Sequence, residues 1–437
     1  MLYHRFYYGS LLGVTQNPAS TRTPKEGEQH LSGGLLGWYA VCTSKTLKND
    51  RIYFFSLFNE PLALYRDKAN RAVCITDHCP HRGASFRGGE VIENEIMCPY
   101  HGARFASEES SKKLVNIACQ HIVDSKYSNF SKNCYLLQYP CEEIDDYIYV
   151  YYTGRAKKYL AETKIENSLE TLILDSHGLN YLDDAYEEAF LDFKCDWDRI
   201  VENHLDILHI FWMHWKSLPG DEVSRKNIAS FDQNLKIYKD HMKTTYFYKD
   251  SSRGEFITQI FIPPGRIIMY RGSDSPSLAR YIQVLDHIPL SRNRARVIVR
   301  HYRKFFKNPL LSKIFLFRTL QMRTFYKVFN EDYLVLRTQT FSQQMGRLEK
   351  ENVHLLGEDR AVRLFWEWHQ RAVDKDHPWS IHAMASDVNP IHQELLMVYP
   401  PENRRLFQKL NRTLALKILA RVACIFLLFA VLYMLLF

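Results

Sequence analysis

Between residues 77 and 105 the chain reads DHCPHRGASFRGGEVIENEIMCPYHGARF, which holds two Cys/His pairs, Cys79-Pro80-His81 and Cys98-Pro99-Tyr100-His101, sixteen residues apart. No other stretch restricts the fold so tightly. Thiolate sulfur and imidazole nitrogen are soft to borderline ligands, so four of them converging from two loops need a scaffold that holds two tight turns side by side. Zinc modules tend to pair Cys with Cys and His with His. Here each loop supplies one thiolate and one imidazole, which suits a two-iron cluster with both sulfurs on one iron and both imidazoles on the other. A tetrahedral zinc site is the competing use of the same donors. Pro80, Gly83 and Gly102 supply the turn chemistry that such loops require.

The pattern C-P-H, sixteen residues, C-P-Y-H resembles the Rieske [2Fe-2S] signature. The resemblance implies that Cys79, His81, Cys98 and His101 hold the cluster.

A second stretch joins histidines to carboxylates: Glu202-Asn203-His204-Leu205-Asp206-Ile207-Leu208-His209-Ile210-Phe211-Trp212-Met213-His214. Buried imidazoles need partners, and so many among Ile, Leu and Phe are unusual for a bland helix. His209 and His214 lie about 140° apart on an ideal helix, so joint ligation demands a widened turn or a helix end between them. Asp-x2-His-x4-His after Glu-Asn resembles the mononuclear iron motif of the Rieske non-heme iron oxygenases. That family combines two histidines and one carboxylate with open coordination positions on the iron. The resemblance makes His209 and His214 the iron imidazoles. It matches Asp206 to the acid that bridges to a Rieske histidine of a neighbouring subunit, here His101, and Asn203 to an asparagine near the iron. His204 has no assigned counterpart and is read as structural. The carboxylate ligand is expected from a late acidic pair, Glu331-Asp332. Asp332 is chosen because Val335 and Gln339 share its helical face, with Glu331 as the alternative.

The expected fold class is α+β. An extension (1–36) leads to an all-β Rieske domain (37–155), then an α+β helix-grip-like catalytic domain (156–395), a basic linker (396–412) and a C-terminal transmembrane anchor (413–437). Short alternating segments up to Gly154 read as an antiparallel β domain. Beyond it, a strand running into a helix covers the histidine motif, several strands fill about 226–302, and a long helix runs from about Leu310 to Gln344. The anchor is read from Val422 to Phe437, VACIFLLFAVLYMLLF, which carries no charge. Residues 400–437 hold six basic side chains against Glu402, so five of the eight net positive charges sit there. The remainder is nearly neutral, which removes the main support for nucleic-acid binding. A basic flank on an apolar tail fits a single-pass anchor with the domains on the cytoplasmic side. Nine scattered cysteines argue for a reducing compartment.

The resemblance implies an oxygenase component. Electrons from NAD(P)H, delivered by a separate ferredoxin or flavin reductase, would pass through the cluster to Fe(2+), and O2 would be activated there to hydroxylate, demethylate or desaturate a substrate. The membrane tail and the basic, aromatic 303–327 segment point to a lipophilic substrate, and the family implies a homotrimer. The alternative is a Rieske-type electron-transfer protein without oxygenase activity.

Overall fold

In the computed structural model the described residues are 31–93, 95–107, 117–121, 134–154, 165, 169–179, 185–214, 217, 231–248, 256–271, 281–304, 317–345, 355–357, 359–376, 416, 417 and 420. The expected anchor at 413–437 therefore lies almost wholly outside them. Among the described residues no helix is long and apolar enough to cross a membrane.

The N-terminal half is built from short antiparallel strands. β1 (Gly37–Thr43), β11 (Tyr147–Tyr152) and β10 (Cys141–Ile144) form one sheet in that order. β2 (Tyr53–Leu57), β3 (Glu60–Arg66), β4 (Ala72–Thr76) and β9 (Gln138–Tyr139) form a second. β5 (Glu90–Ile92), β6 (Glu95–Met97), β7 (Arg104–Ser107) and β8 (Ile117–His121) form a third, small sheet. The alternating segments give the first two sheets. The third was hidden, because its strands lie within and just after the stretch that reads as ligand loops and are too short to show a period of two.

The second half centres on a seven-stranded antiparallel sheet. Its order is β12 (Ala185–Phe193), β18 (Arg294–Arg303), β17 (Tyr281–Ser291), β16 (Arg266–Arg271), β15 (Phe256–Ile262), β14 (Met242–Tyr248) and β13 (Phe231–Ile237). Among the described residues it is accompanied by α1 (Trp197–Leu205), α2 (Leu208–Met213), α3 (Phe317–Gln344) and α4 (Arg360–Asp376). The chain is thus mostly β with a few helices. The register aligns Gln259, Met269, Gln283 and His301 across β15 to β18, so they share one face of the sheet. Phe261 on that face meets Phe365 and Trp368 of α4 edge-on, each at 5.4 Å between ring centroids, so this is the helix side.

The other face packs on the first sheet through cations and rings. Arg300 lies over Tyr147 at 3.6 Å, and its guanidinium donates to the Asp145 and Asp146 carbonyls at 2.8 and 2.9 Å. Those two residues have φ of 55° and 62°, the left-handed pair that a two-residue hairpin between β10 and β11 requires. Arg266 lies under Tyr147 and Tyr149 and forms a two-pronged pair with Asp286 at 2.6 and 2.8 Å. Replacing Asp286 by Ala leaves this buried guanidinium without its carboxylate, which costs about 3–5 kcal/mol. A clear fall in the thermal unfolding midpoint is expected, and an unchanged midpoint would show that the pair does not clamp the two halves.

Candidate metal centres

The two Cys/His loops hang from β4 and β6. In the first, the Cys79 amide donates to the Ala84 carbonyl (2.7 Å) and the Gly83 amide to the Cys79 carbonyl (2.8 Å). The second repeats the turn: Cys98 N–H to Ala103 O at 2.8 Å, and Gly102 N–H to Cys98 O at 3.0 Å. Gly83 and Gly102 have φ of 73° and 72°, which explains a glycine at the same place in each loop. Asp77 pins the first loop, accepting from the Ser85 hydroxyl and the Phe86 amide, both at 2.7 Å. Both thiols are buried, in a small core with Phe86, Ile96, Phe105 and Leu136. His81 and His101 are exposed at the loop tips, with ring centroids 4.7 Å apart. The four expected ligands therefore come together, sulfurs inward and imidazoles outward.

The second centre begins at a helix break. Asp206 ends α1 in an extended conformation (φ −75°, ψ 108°), and its Oδ1 accepts from the amides of Leu208 (2.8 Å) and His209 (3.4 Å), which starts α2. His214 sits just past the end of α2 at φ −101° and ψ 8°. One imidazole on the helix and one beyond it overcome the 140° offset, and the rings meet at 5.3 Å. From α3, 118 residues later, Asp332 Oδ1 reaches Nε2 of His214 (3.1 Å) and Nε2 of His209 (3.5 Å). The ligand atoms of the three residues all lie within 4.8 Å of one another.

Glu331 has a different place. Its carboxylate accepts from His214 Nδ1 at 2.7 Å and from the Ser217 hydroxyl at 2.5 Å. That bond puts the proton on Nδ1 and leaves the Nε2 lone pair facing Asp332. The helical face that Asp332 occupies differs from the expected one. Val335 is 39% exposed, while the inner row of α3 is Phe329, Asp332, Leu336 and Thr340, all buried. Asp332 is set by i−3, i+4 and i+8 neighbours, not by Val335 and Gln339.

His204 has a partner the sequence did not reveal. Its Nδ1 lies 2.7 Å from Nε2 of His287 on β17, and His287 Nδ1 lies 2.8 Å from the Gly265 carbonyl. Asn203 Oδ1 is buried with no hydrogen-bond partner among the described residues. Asp206 Oδ2 is 3.7 Å from His209 Nδ1.

Both donor sets fit metals, but different ones. Two imidazole nitrogens facing one buried carboxylate oxygen form a set that a cation satisfies. Among the described residues this is the one group of three or more potential ligands close enough for a single ion. The loop donors, one thiolate and one imidazole from each loop, suit a two-iron cluster with both sulfurs on one iron and both imidazoles on the other. Burial opposes protonation of His214, yet Asp332 and Glu331 outweigh it and raise its pKa. Proton and metal then compete for one nitrogen, so retention of the mononuclear metal should fall as pH drops. His214→Ala should lose that metal and keep the cluster spectrum, by metal analysis and visible absorption. Loss of both together would mean the centres are not independent.

Comparison with known proteins follows this geometry. The Rieske [2Fe-2S] domain family matches residues 37–125. The chain is 32% identical over 190 residues to chlorophyllide a oxygenase of Chlamydomonas reinhardtii, covering 43% of this chain and 26% of the relative. It is 33% identical over 199 residues to cholesterol 7-desaturase of Caenorhabditis elegans, covering 44% and 42%. The matched segments thus span less than half of those relatives. In structure it resembles dicamba monooxygenase bound to dicamba, with a TM-score of 0.59 at 13% identity, covering 80% of this chain and 98% of that one. The cofactors are a [2Fe-2S] cluster and a mononuclear Fe(2+). The chain thus carries a Rieske [2Fe-2S] domain over residues 37–125, and its overall fold is that of dicamba monooxygenase.

Proposed function

We propose that this chain is the oxygenase component of a system oxidising a lipophilic substrate with O2. The observation that carries the reading is the His209, His214 and Asp332 triad, in the same chain as the Rieske loops. When bound, the cluster supplies single electrons and the iron supplies open positions for oxygen. The chain's own residues hold and orient: Glu331 fixes the His214 tautomer, and Asp206 lies behind His209. An electron carrier without oxygenase activity has no use for such a triad.

The outward-facing His81 and His101 give a separate ferredoxin or flavin reductase a place to deliver electrons. Asp206 is half-buried, which fits its expected role as the bridge to His101 of a neighbouring subunit in a homotrimer. A lipophilic substrate is supported by the apolar 422–437 tail, by its basic flank, and by relatives named for chlorophyllide a and cholesterol. The tail is proposed to anchor the domains at the cytoplasmic side of a membrane.

Reduced enzyme given lipid extract or cholesterol under labelled O2 should yield an oxidised product by mass spectrometry, carrying the label or, for a desaturation, lacking two hydrogens. Asp206→Asn should keep both metals and slow transfer from cluster to iron at least tenfold in rapid mixing, because the amide cannot orient two imidazoles by charge. An unimpaired Asp206→Asn enzyme would remove the bridge. Deleting residues 413–437 should release the protein from membranes with both centres filled, since every proposed ligand precedes residue 333. A truncated protein that still sediments with membranes would move the anchor elsewhere.

A further inference from the structure

His204 is buried, 8% exposed, on the last turn of α1, yet it is neither an iron ligand nor a simple core residue. The chain of bonds behind it fixes its protons. The Gly265 carbonyl can only accept, so His287 Nδ1 carries the hydrogen between them. Burial pushes the His287 pKa down to about 4, so the ring is neutral and its Nε2 carries a lone pair. His204 Nδ1 must therefore donate to that Nε2. His204 is also held well below the ordinary histidine value, by burial first and then by His287, His209 and His214. Its own Nε2 is left as a bare lone pair, buried and without a partner among the described residues.

The frame behind the pair is stiff. A Cβ on Gly265 would come within 2.7 Å of the His287 carbonyl, so only glycine lets the start of β16 approach β17 closely enough to hold this ring. On the other side, the His204 carbonyl accepts from Gln259 Nε2 at 2.8 Å, which turns Gln259 Oε1 into a second buried acceptor without a partner. Phe329, three residues before Asp332, closes on the His204 ring at 5.5 Å between centroids. The His204 ring thus touches α3 one turn before Asp332, near enough for His209 and His214 to act on its charge. Two buried acceptors left bare call for a donor.

We infer that His204, held by His287 and Gly265, is a fixed neutral acceptor that positions a hydroxyl group of the substrate, so that the site favours alcohols over ethers and carboxylates. The inference deepens the proposed function by naming a substrate chemistry, but binding alone tests it, without turnover. A carboxylate at neutral pH offers no hydrogen to the lone pair, and an ether offers none either. Water could supply the same O–H. In that case the protein would show no preference between an alcohol and its ether.

The test uses intact holoenzyme at neutral pH and three probes of one skeleton, 1-naphthol, 1-methoxynaphthalene and 1-naphthoate, with dissociation constants from calorimetry. We expect naphthol to bind about five- to tenfold more tightly than the other two. His204→Phe should abolish that preference while retaining the cluster spectrum and iron content. His204→Gln, which keeps an acceptor, should preserve part of it. If His204→Phe fails to fold, the wild-type order and the His204→Gln variant decide. Equal affinities, tighter binding of the ether or of the naphthoate, no binding of any probe, or an unchanged preference in His204→Phe would each overturn the inference. A naphthol preference in a protein that oxidises nothing would leave it standing and defeat the oxygenase reading instead.

Discussion

A carboxylate buried to 2% exposure must find positive charge or lose stability, and among the described residues Asp332 meets two imidazole nitrogens facing it. A cation among the three resolves this, and the local structure is arranged to make that meeting possible. α1 stops at Asp206, α2 runs for six residues, and His214 falls just beyond its end. α3 turns the row of Phe329, Asp332, Leu336 and Thr340 inward. The Glu331 carboxylate stays behind His214, which keeps the proton on the nitrogen that the metal does not need. A single helix through residues 197–214 could not place both rings at one point.

The two centres live in opposite surroundings. The cluster loops bury their sulfurs in a small satellite core and expose their imidazoles, so electrons can enter at the surface. The mononuclear site is walled by α1, α3 and the helix face of the seven-stranded sheet. Behind that sheet the Arg266 and Arg300 guanidinium groups bind Tyr147 and Tyr149 and the hairpin turn between β10 and β11. Cations stacked on rings and paired with carboxylates resist sliding better than an apolar contact alone, because each fixes direction as well as distance. The large hydrophobic core is continuous across this contact, from Tyr39 and Tyr152 to Val297 and Phe365.

What could be read from the sequence was local. Two Cys/His phrases at fixed spacing and Asp-x2-His-x4-His announce their chemistry because each ligand set lies within a few turns of chain. Asp332 was found among late residues, but the helical face offered as its reason was the wrong one, since Val335 points to solvent. β5, β6 and β7 were read as loop because three- or four-residue strands carry no usable periodicity. His204 was set aside as structural, because its partner is 83 residues away on β17 and nothing in a histidine beside an aspartate marks it as half of a pair. Gly265 gives a faint signal, a glycine after two prolines, that only register turns into a close approach.

The central claim is that one chain holds a two-iron cluster and a separate single iron. Iron, zinc and acid-labile sulfide counted on anaerobically purified protein, with Mössbauer spectra before and after mild chelation, test it most directly. The account predicts about three irons and two sulfides per chain, with the one chelator-labile iron lost while the cluster doublets remain. A zinc-dominated preparation without sulfide, or iron confined to the cluster even after reconstitution with Fe(2+), would contradict it.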